Sequence, residues 1–273
     1  HAGFAAVYGV LAALCLAAAV FAALWIQEPS HAPASGKAAA PGRAGPSAPG
    51  PLRDRQAWRM AAGIGILCAP QFAVLSFGMV FLHDHAHLGL GMAAAVMSVV
   101  QLASMALRIC SGRWTDRRQN RPAFLRACCQ LTLALFAGMA ALSWSSHPGA
   151  SAVSPAMGLV LMVMLGVCGI CVSAWHGVAY TQLAGLAGAA RAGTALGMAN
   201  TSVFAVCFLV PLAIPHLLSA QGWGLVWACA AACAGWAMHL FARAGAAGNP
   251  GATQGALLNE NTGCLPTASS HRP

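Results

Sequence analysis

The chain reads as an all-α integral membrane protein with seven transmembrane helices, and three observations carry that reading. First, seven long stretches contain no Asp, Glu, Lys or Arg: roughly 2–26, 60–82, 88–107, 127–145, 156–180, 193–215 and 222–242. Placing Arg, Lys or Asp at a span's centre costs about 2.5 to 3.5 kcal/mol, so uncharged runs of ~20 residues are expected to cross the bilayer. Second, hydrophobic residues make up 59% of the chain and charged residues 7%. Soluble domains have about 45–50% and ~25%, so too few polar side chains remain to cover a water-soluble surface. Third, all fourteen Lys and Arg fall in alternate gaps: 27–59, 108–126, 181–192 and the tail from Arg243. Basic loops stay cytoplasmic, which predicts an outside N-terminus and an inside C-terminus.

The first span is about 25 residues long, with no basic segment before it, so it is expected to be a real helix and not a signal peptide. Its abrupt start at His1 suggests a chain cut from something longer. Residues 27–56 break the pattern. Pro33, Pro41, Pro46, Pro49 and Pro51 sit among Ala, Gly and Ser, which forbids a stable helix and predicts a flexible cytoplasmic linker. In the second span Gln71 follows Pro70, where a kink is expected. His83-Asp84-His85-Ala86-His87 then forms a short outer turn. Alternate His could ligate a metal if extended, but the turn reading is preferred and no metal site is assigned.

The third span carries Ser98, Gln101, Ser104 and Arg108 at helical spacing, a polar stripe expected to end in a snorkelling Arg. In the fifth, Ser173, His176 and Tyr180 form a second stripe, and Cys168-Gly-Ile-Cys171 has redox-motif spacing. An apolar helix neither activates a thiol nor admits a partner, so these cysteines are read as small apolar residues. The sixth span places Thr194, Gly197 and Thr201 on one face, with Asn200 beside them. Trp25, Trp58, Trp114, Trp144 and Trp223 lie near span ends as interfacial anchors. The tail over 244–273 resembles the linker in composition and is expected to be disordered.

A motif gives the family. The basic gap after the third span reads Arg108-Ile-Cys-Ser-Gly112-Arg113-Trp-Thr-Asp116-Arg117-Arg118-Gln-Asn-Arg121. This resembles the major facilitator superfamily signature G-x-x-x-D-R-x-G-R-[KR], with Gly112, Asp116, Arg117 and Arg121 matching. Gln119 stands where the family has Gly. Physically, Gly112 would let two helices approach closely. Asp116 would offset a neighbouring helix N-terminus, and Arg117 and Arg121 would bind the Asp or lipid phosphates. A second stretch, Arg191-Ala-Gly193-Thr-Ala-Leu-Gly197, is similar to the family's short loop between helices ten and eleven. The resemblance implies that the seven spans are helices six to twelve. Residues 1–26 would then be the last helix of the N-terminal bundle, 27–56 the interdomain linker and 57–243 the C-terminal six-helix half-bundle.

What the resemblance implies about function is transport of a small solute across a bacterial inner membrane by alternating access, with Gly112, Asp116, Arg117 and Arg121 latching the cytoplasmic side. The N-terminal bundle of the same transporter would be the missing partner. Intramembrane polar groups are costly and point to function. Gln71, Gln101, Asn200 and Thr201 are therefore the substrate-binding candidates, with interhelical hydrogen bonding as the plainer role. The spans hold no Asp or Glu, which leaves His176 as the candidate for proton coupling. The alternative is a non-transporting seven-span sensor or assembly partner. A net charge of +9 would suit nucleic acid, but the basic residues sit beside spans, where lipid and topology account for them. No nucleophile–base pair or phosphate loop suggests an enzyme, and no cofactor is implied.

Overall fold

The computed structural model describes residues 2–25, 50–146 and 153–246. Among them every regular element is helical. The predicted linker up to residue 49 and the tail from 247 lie outside the described residues. Helix α1 (Ala2–Trp25) belongs to one compact unit, and the chain from Pro49 onward to another. α1 is apolar and exposed along its length, as suits a helix whose natural solvent is lipid.

The second unit starts earlier than the composition suggests. A 3₁₀ turn at Pro51–Arg53 leads into α2 (Arg55–Val80), whose first turn is capped by Asp54 accepting from the Gln56 amide at 2.8 Å. The Trp58 indole N–H donates back to the Leu52 carbonyl at 2.9 Å. The last residues assigned to the linker are thus pinned to the bundle. α2 keeps its path through Pro70 and continues into a π-helical turn, Phe81–His85, so His83, Asp84 and His85 are wound onto the end of a span. His83 meets Asp84 at 2.6 Å and His85 meets Ser146 at 3.1 Å.

The remaining spans overrun their apolar stretches. α3 covers Leu90–Arg118 and α4 covers Arg121–Ser145, so only Gln119 and Asn120 separate them. Arg, Thr and Gln sustain a helix once it leaves hydrocarbon, because propensity then decides and water satisfies their polar groups. The fifth span is broken into α5 (Pro155–Cys171) and α6 (His176–Ala187). After a short turn at Ala189–Arg191, helix continues over Ala192–Ala246 except at Gln221 and Gly222. Gly222 has φ 70° and ψ −162°, a backbone open to glycine alone. It reverses the chain between α7 (192–220) and α8 (223–246). The described residues therefore hold seven spans, with α5 and α6 sharing one.

α2 is the most buried of the spans, and close backbone approach is what holds it there. A Cβ built on Gly65 would stand 2.8 Å from the Ser202 side chain and 2.9 Å from its backbone on α7. On α5, a Cβ on Gly169 would meet Val100 of α3 at 2.7 Å. Without a hydrophobic drive between helices in lipid, such small-residue contacts supply the packing. The core forms two layers. One contains Met60, Ile64, Trp175 and Phe241 and lies toward the Asp116 end. The other contains Phe81, Phe136, Trp223 and Trp227 and lies toward the His83 end. Between them α2 crosses at Pro70 and Gln71, both buried.

Candidate functional site

The break in the fifth span organises the polar groups. At residues 172–175 the backbone tightens. The Ser173 amide donates to the Ile170 carbonyl and the Ala174 amide to the Cys171 carbonyl, both at 3.2 Å. The carbonyls of Ser173 and Ala174 then accept from side chains of α3. Arg108 Nε donates to Ser173 at 3.1 Å, and Ser111 Oγ donates to Ala174 at 2.8 Å. One turn away Ser104 reaches the Gly169 carbonyl at 3.5 Å. Val172 and Trp175 keep right-handed helical dihedrals, so the break is a tightened turn; the carbonyls it frees need protein partners at membrane depth, and the polar stripe of α3 supplies them.

Arg108 was expected to snorkel toward headgroups. Instead it turns onto the break, about 15 Å before the end of α3 at 1.5 Å per residue. Its guanidinium lies within electrostatic reach of His176 on α6 and Cys68 on α2. The His176 ring is flanked by Trp175, with centroids 4.4 Å apart, and by Tyr180 at 5.5 Å. The His176 Nδ1 is buried without a partner. Tyr180 O–H donates to Asn200 Oδ1 on α7 at 2.8 Å. Cys68 and Cys207 bring their sulfurs to 4.0 Å between α2 and α7. Arg108, His176, Tyr180, Asn200, Cys68 and Cys207 thus form one junction, to which α2, α3, α6 and α7 each contribute. It opens to the surface of the unit, since Asn200, Gly177 and Thr201 are exposed.

The other candidates fall apart from this junction. Gln71 is 4% exposed, and its Oε1 has no hydrogen-bond partner. Gln101 is exposed on α3. It lies seven residues from Arg108, within roughly 20° of it around a helix of 3.6 residues per turn. Thr201 is exposed and donates to the Gly197 carbonyl of its own helix at 3.0 Å. Thr201 adjoins Asn200 in sequence, whereas no hydrogen bond links Gln71 or Gln101 to the junction among the described residues. The Cys68–Cys207 contact and the Tyr180–Asn200 bond lay hidden in the sequence, because each joins residues on different helices.

The predicted loop is a helical hairpin. Gly112, Asp116 and Arg117 ride on the last turns of α3, and Arg121 opens α4. Arg121 grips the Asp116 Oδ1 with Nη2 at 2.7 Å and Nε at 3.3 Å. Arg117 is exposed. Gly112 mediates no close approach, since a Cβ there would meet nothing within 4 Å; the same holds at Gly193 and Gly197. Those glycines face outward from this unit, and the tight contacts are made at Gly65 and Gly169. No group of three or more His, Cys, Asp or Glu able to hold a metal ion occurs among the described residues. Between α2, α7 and α8 an apolar recess of about 120 Å³ is lined by Ala69, Ala73, Val210 and Ile214 among others, with no charged group to orient a ligand.

Comparison with known proteins agrees with the architecture. The chain is 24% identical over 171 residues to two uncharacterized MFS-type transporters of Mycobacterium tuberculosis, from strains CDC 1551 / Oshkosh and ATCC 25618 / H37Rv. The alignment covers 63% of this chain and 36% of each relative, so the chain spans about a third of their length. No solved structure matches it. The model of the Major Facilitator Superfamily matches residues 1–211, and with seven spans and the helical Asp116–Arg121 hairpin in place, the chain is an integral membrane protein that belongs to the Major Facilitator Superfamily.

Proposed function

We propose that this chain is the C-terminal part of a secondary transporter that moves a small solute by alternating access. It would sit in a bacterial inner membrane with the start of α1 outside and the end of α8 in the cytoplasm. The observation that carries the proposal is the polar junction at the broken α5–α6 span. Facilitator-type transporters bind substrate near the midplane, often beside discontinuous helices, and this junction opens on one face of the six-helix unit. Asn200 and Thr201 fit the wall of such a site, and Gln101 fits its upper part on the same flank as Arg108. Gln71 fits as a buried amide beneath the wall, poised to turn outward. The partner across the cavity is the N-terminal bundle, to which α1 belongs. The Asp116–Arg121 hairpin acts as the cytoplasmic latch. His176 is the proton-coupling candidate, since its ring lies in the junction with one nitrogen unpartnered.

The test uses the complete protein in proteoliposomes, with the solute found by an uptake screen. Gln101→Leu and Gln71→Leu should raise the apparent KM at least several-fold. Gln71→Leu should leave the melting temperature unchanged or higher, because it removes a buried acceptor that has no donor. Asp116→Asn should slow uptake several-fold with KM little changed, since an exposed pair of this kind shifts a two-state balance by up to about 1 kcal/mol. Unaltered KM in both Gln variants would remove them from the substrate site.

A further inference from the structure

We infer that the junction is an oxyanion subsite, and that the transported solute is an anion whose carboxylate or phosphate pairs with Arg108; this deepens the transporter reading and rests on it. The argument begins with charge. The chain has five acidic residues: Glu28, Asp54, Asp84, Asp116 and Glu260. None lies in an apolar stretch. Asp54 caps α2, Asp84 meets His83, and Asp116 is held by Arg121. Arg108, the first residue past the apolar run of the third span, therefore carries a full charge with no carboxylate beside it among the described residues. Cations in or at the edge of a span are kept where they meet a counter-charge, backbone carbonyls or a ligand, and Arg108 has one such carbonyl.

The donor count points the same way. Arg108 spends Nε on the Ser173 carbonyl, which fixes the plane of the guanidinium. The N–H bonds of Nη1 and Nη2 have no protein acceptor among the described residues. A planar fork of this kind matches two oxygens of a carboxylate or phosphate. Asn200 accepts from Tyr180 through Oδ1, which leaves its amide N–H bonds for an acceptor. The His176 ring stacks on Tyr180 beside these groups, with its Nδ1 buried. The face has room as well: a Cβ on Gly177 or Gly197 would meet no atom within 4 Å. Donors from α3 and α7 thus stand at this surface with no protein acceptor to satisfy them among the described residues.

Three sources could supply the oxyanion: a solute, a lipid phosphate, or an acidic side chain elsewhere in the whole protein. The experiment separates them. The complete protein, purified in dodecyl maltoside with phosphatidylcholine, is melted with benzoate, succinate or inorganic phosphate, and with tetraethylammonium chloride at matched ionic strength. At least one of the three anions should raise the melting temperature by several degrees, and tetraethylammonium should not. Arg108→Gln should abolish that shift. Arg108→Lys, which keeps the charge and loses the fork, should require at least five-fold more anion, and it decides the matter should Arg108→Gln fail to fold. Absence of any anion effect, or an equal effect in Arg108→Lys, overturns the inference. So does a shift that appears only with phosphatidylglycerol, which would assign the group to lipid. A loss of thermal stability in Arg108→Lys without added anion, matched by an acidic substitution in the N-terminal bundle, would assign the partner to the protein and also overturn it. Uptake distinguishes the two readings. Saturable tetraethylammonium transport unaffected by Arg108→Lys sinks the anion subsite and leaves a transporter. Arg108-dependent anion binding without uptake of any solute leaves the subsite and sinks the transporter.

Discussion

Gln119 ends α3 with φ 52° and ψ 32°, a left-handed backbone that costs an L-residue about 1–2 kcal/mol. The family signature has Gly here, the residue that takes this conformation without strain. Gln119 offsets part of the cost by donating Nε2 to the Asp116 carbonyl at 2.7 Å, so its side chain supplies a cap of the kind a Gly turn gets from backbone. Gln119→Gly should therefore raise the melting temperature of the purified chain by an amount equivalent to about 1 kcal/mol or less. A clear fall would mean that the side-chain cap outweighs the strain. The same residue shows what was legible at this scale. The match to Asp116 and Arg121 was readable because the pair is local in sequence. The inward turn of Arg108 was not, because its acceptor lies 65 residues away and charge pattern alone favours snorkelling.

At the scale of elements, glycines divide by what faces them. Gly65 packs against the backbone of Ser202, and backbone cannot swing aside as a flexible side-chain end can. Gly65→Val should cost about 1–3 kcal/mol through overpacking. Gly197→Ala, with open space around it, should be neutral or stabilise by up to ~1 kcal/mol through helix propensity. Melting curves of the two purified variants check both, and equal losses would contradict the packing described here. The sequence pointed to Gly112 as the packing glycine, since a motif does not say which side of a helix its partner occupies. Span existence was legible because charges are excluded from hydrocarbon. Span ends were not, because the helices at Arg118 and Arg121 run on past it. The break at 172–175 has no Pro or Gly within it. It is held by tertiary contacts from α3, and those leave no local mark.

At the scale of the whole molecule, topology is the testable quantity. Cys15 and Cys110 are exposed native thiols, so both are first replaced by Ser. A Cys introduced at Ser146 should then react with a membrane-impermeant maleimide from outside the cell, and one at Arg117 only after the inner face is opened. Labelling of position 146 from the cytoplasm alone would reverse the orientation. The order of synthesis adds a further demand. α3 leaves the ribosome with Arg108 some 65 residues ahead of the Ser173 carbonyl it finally binds, an interval of several seconds at ~5–20 residues per second. During that interval the nascent helix must hold its cation at the translocon wall or at the headgroups. A weakened fifth span should therefore leave Arg108 at the headgroups, with α3 inserted and its contact to Ser173 unmade.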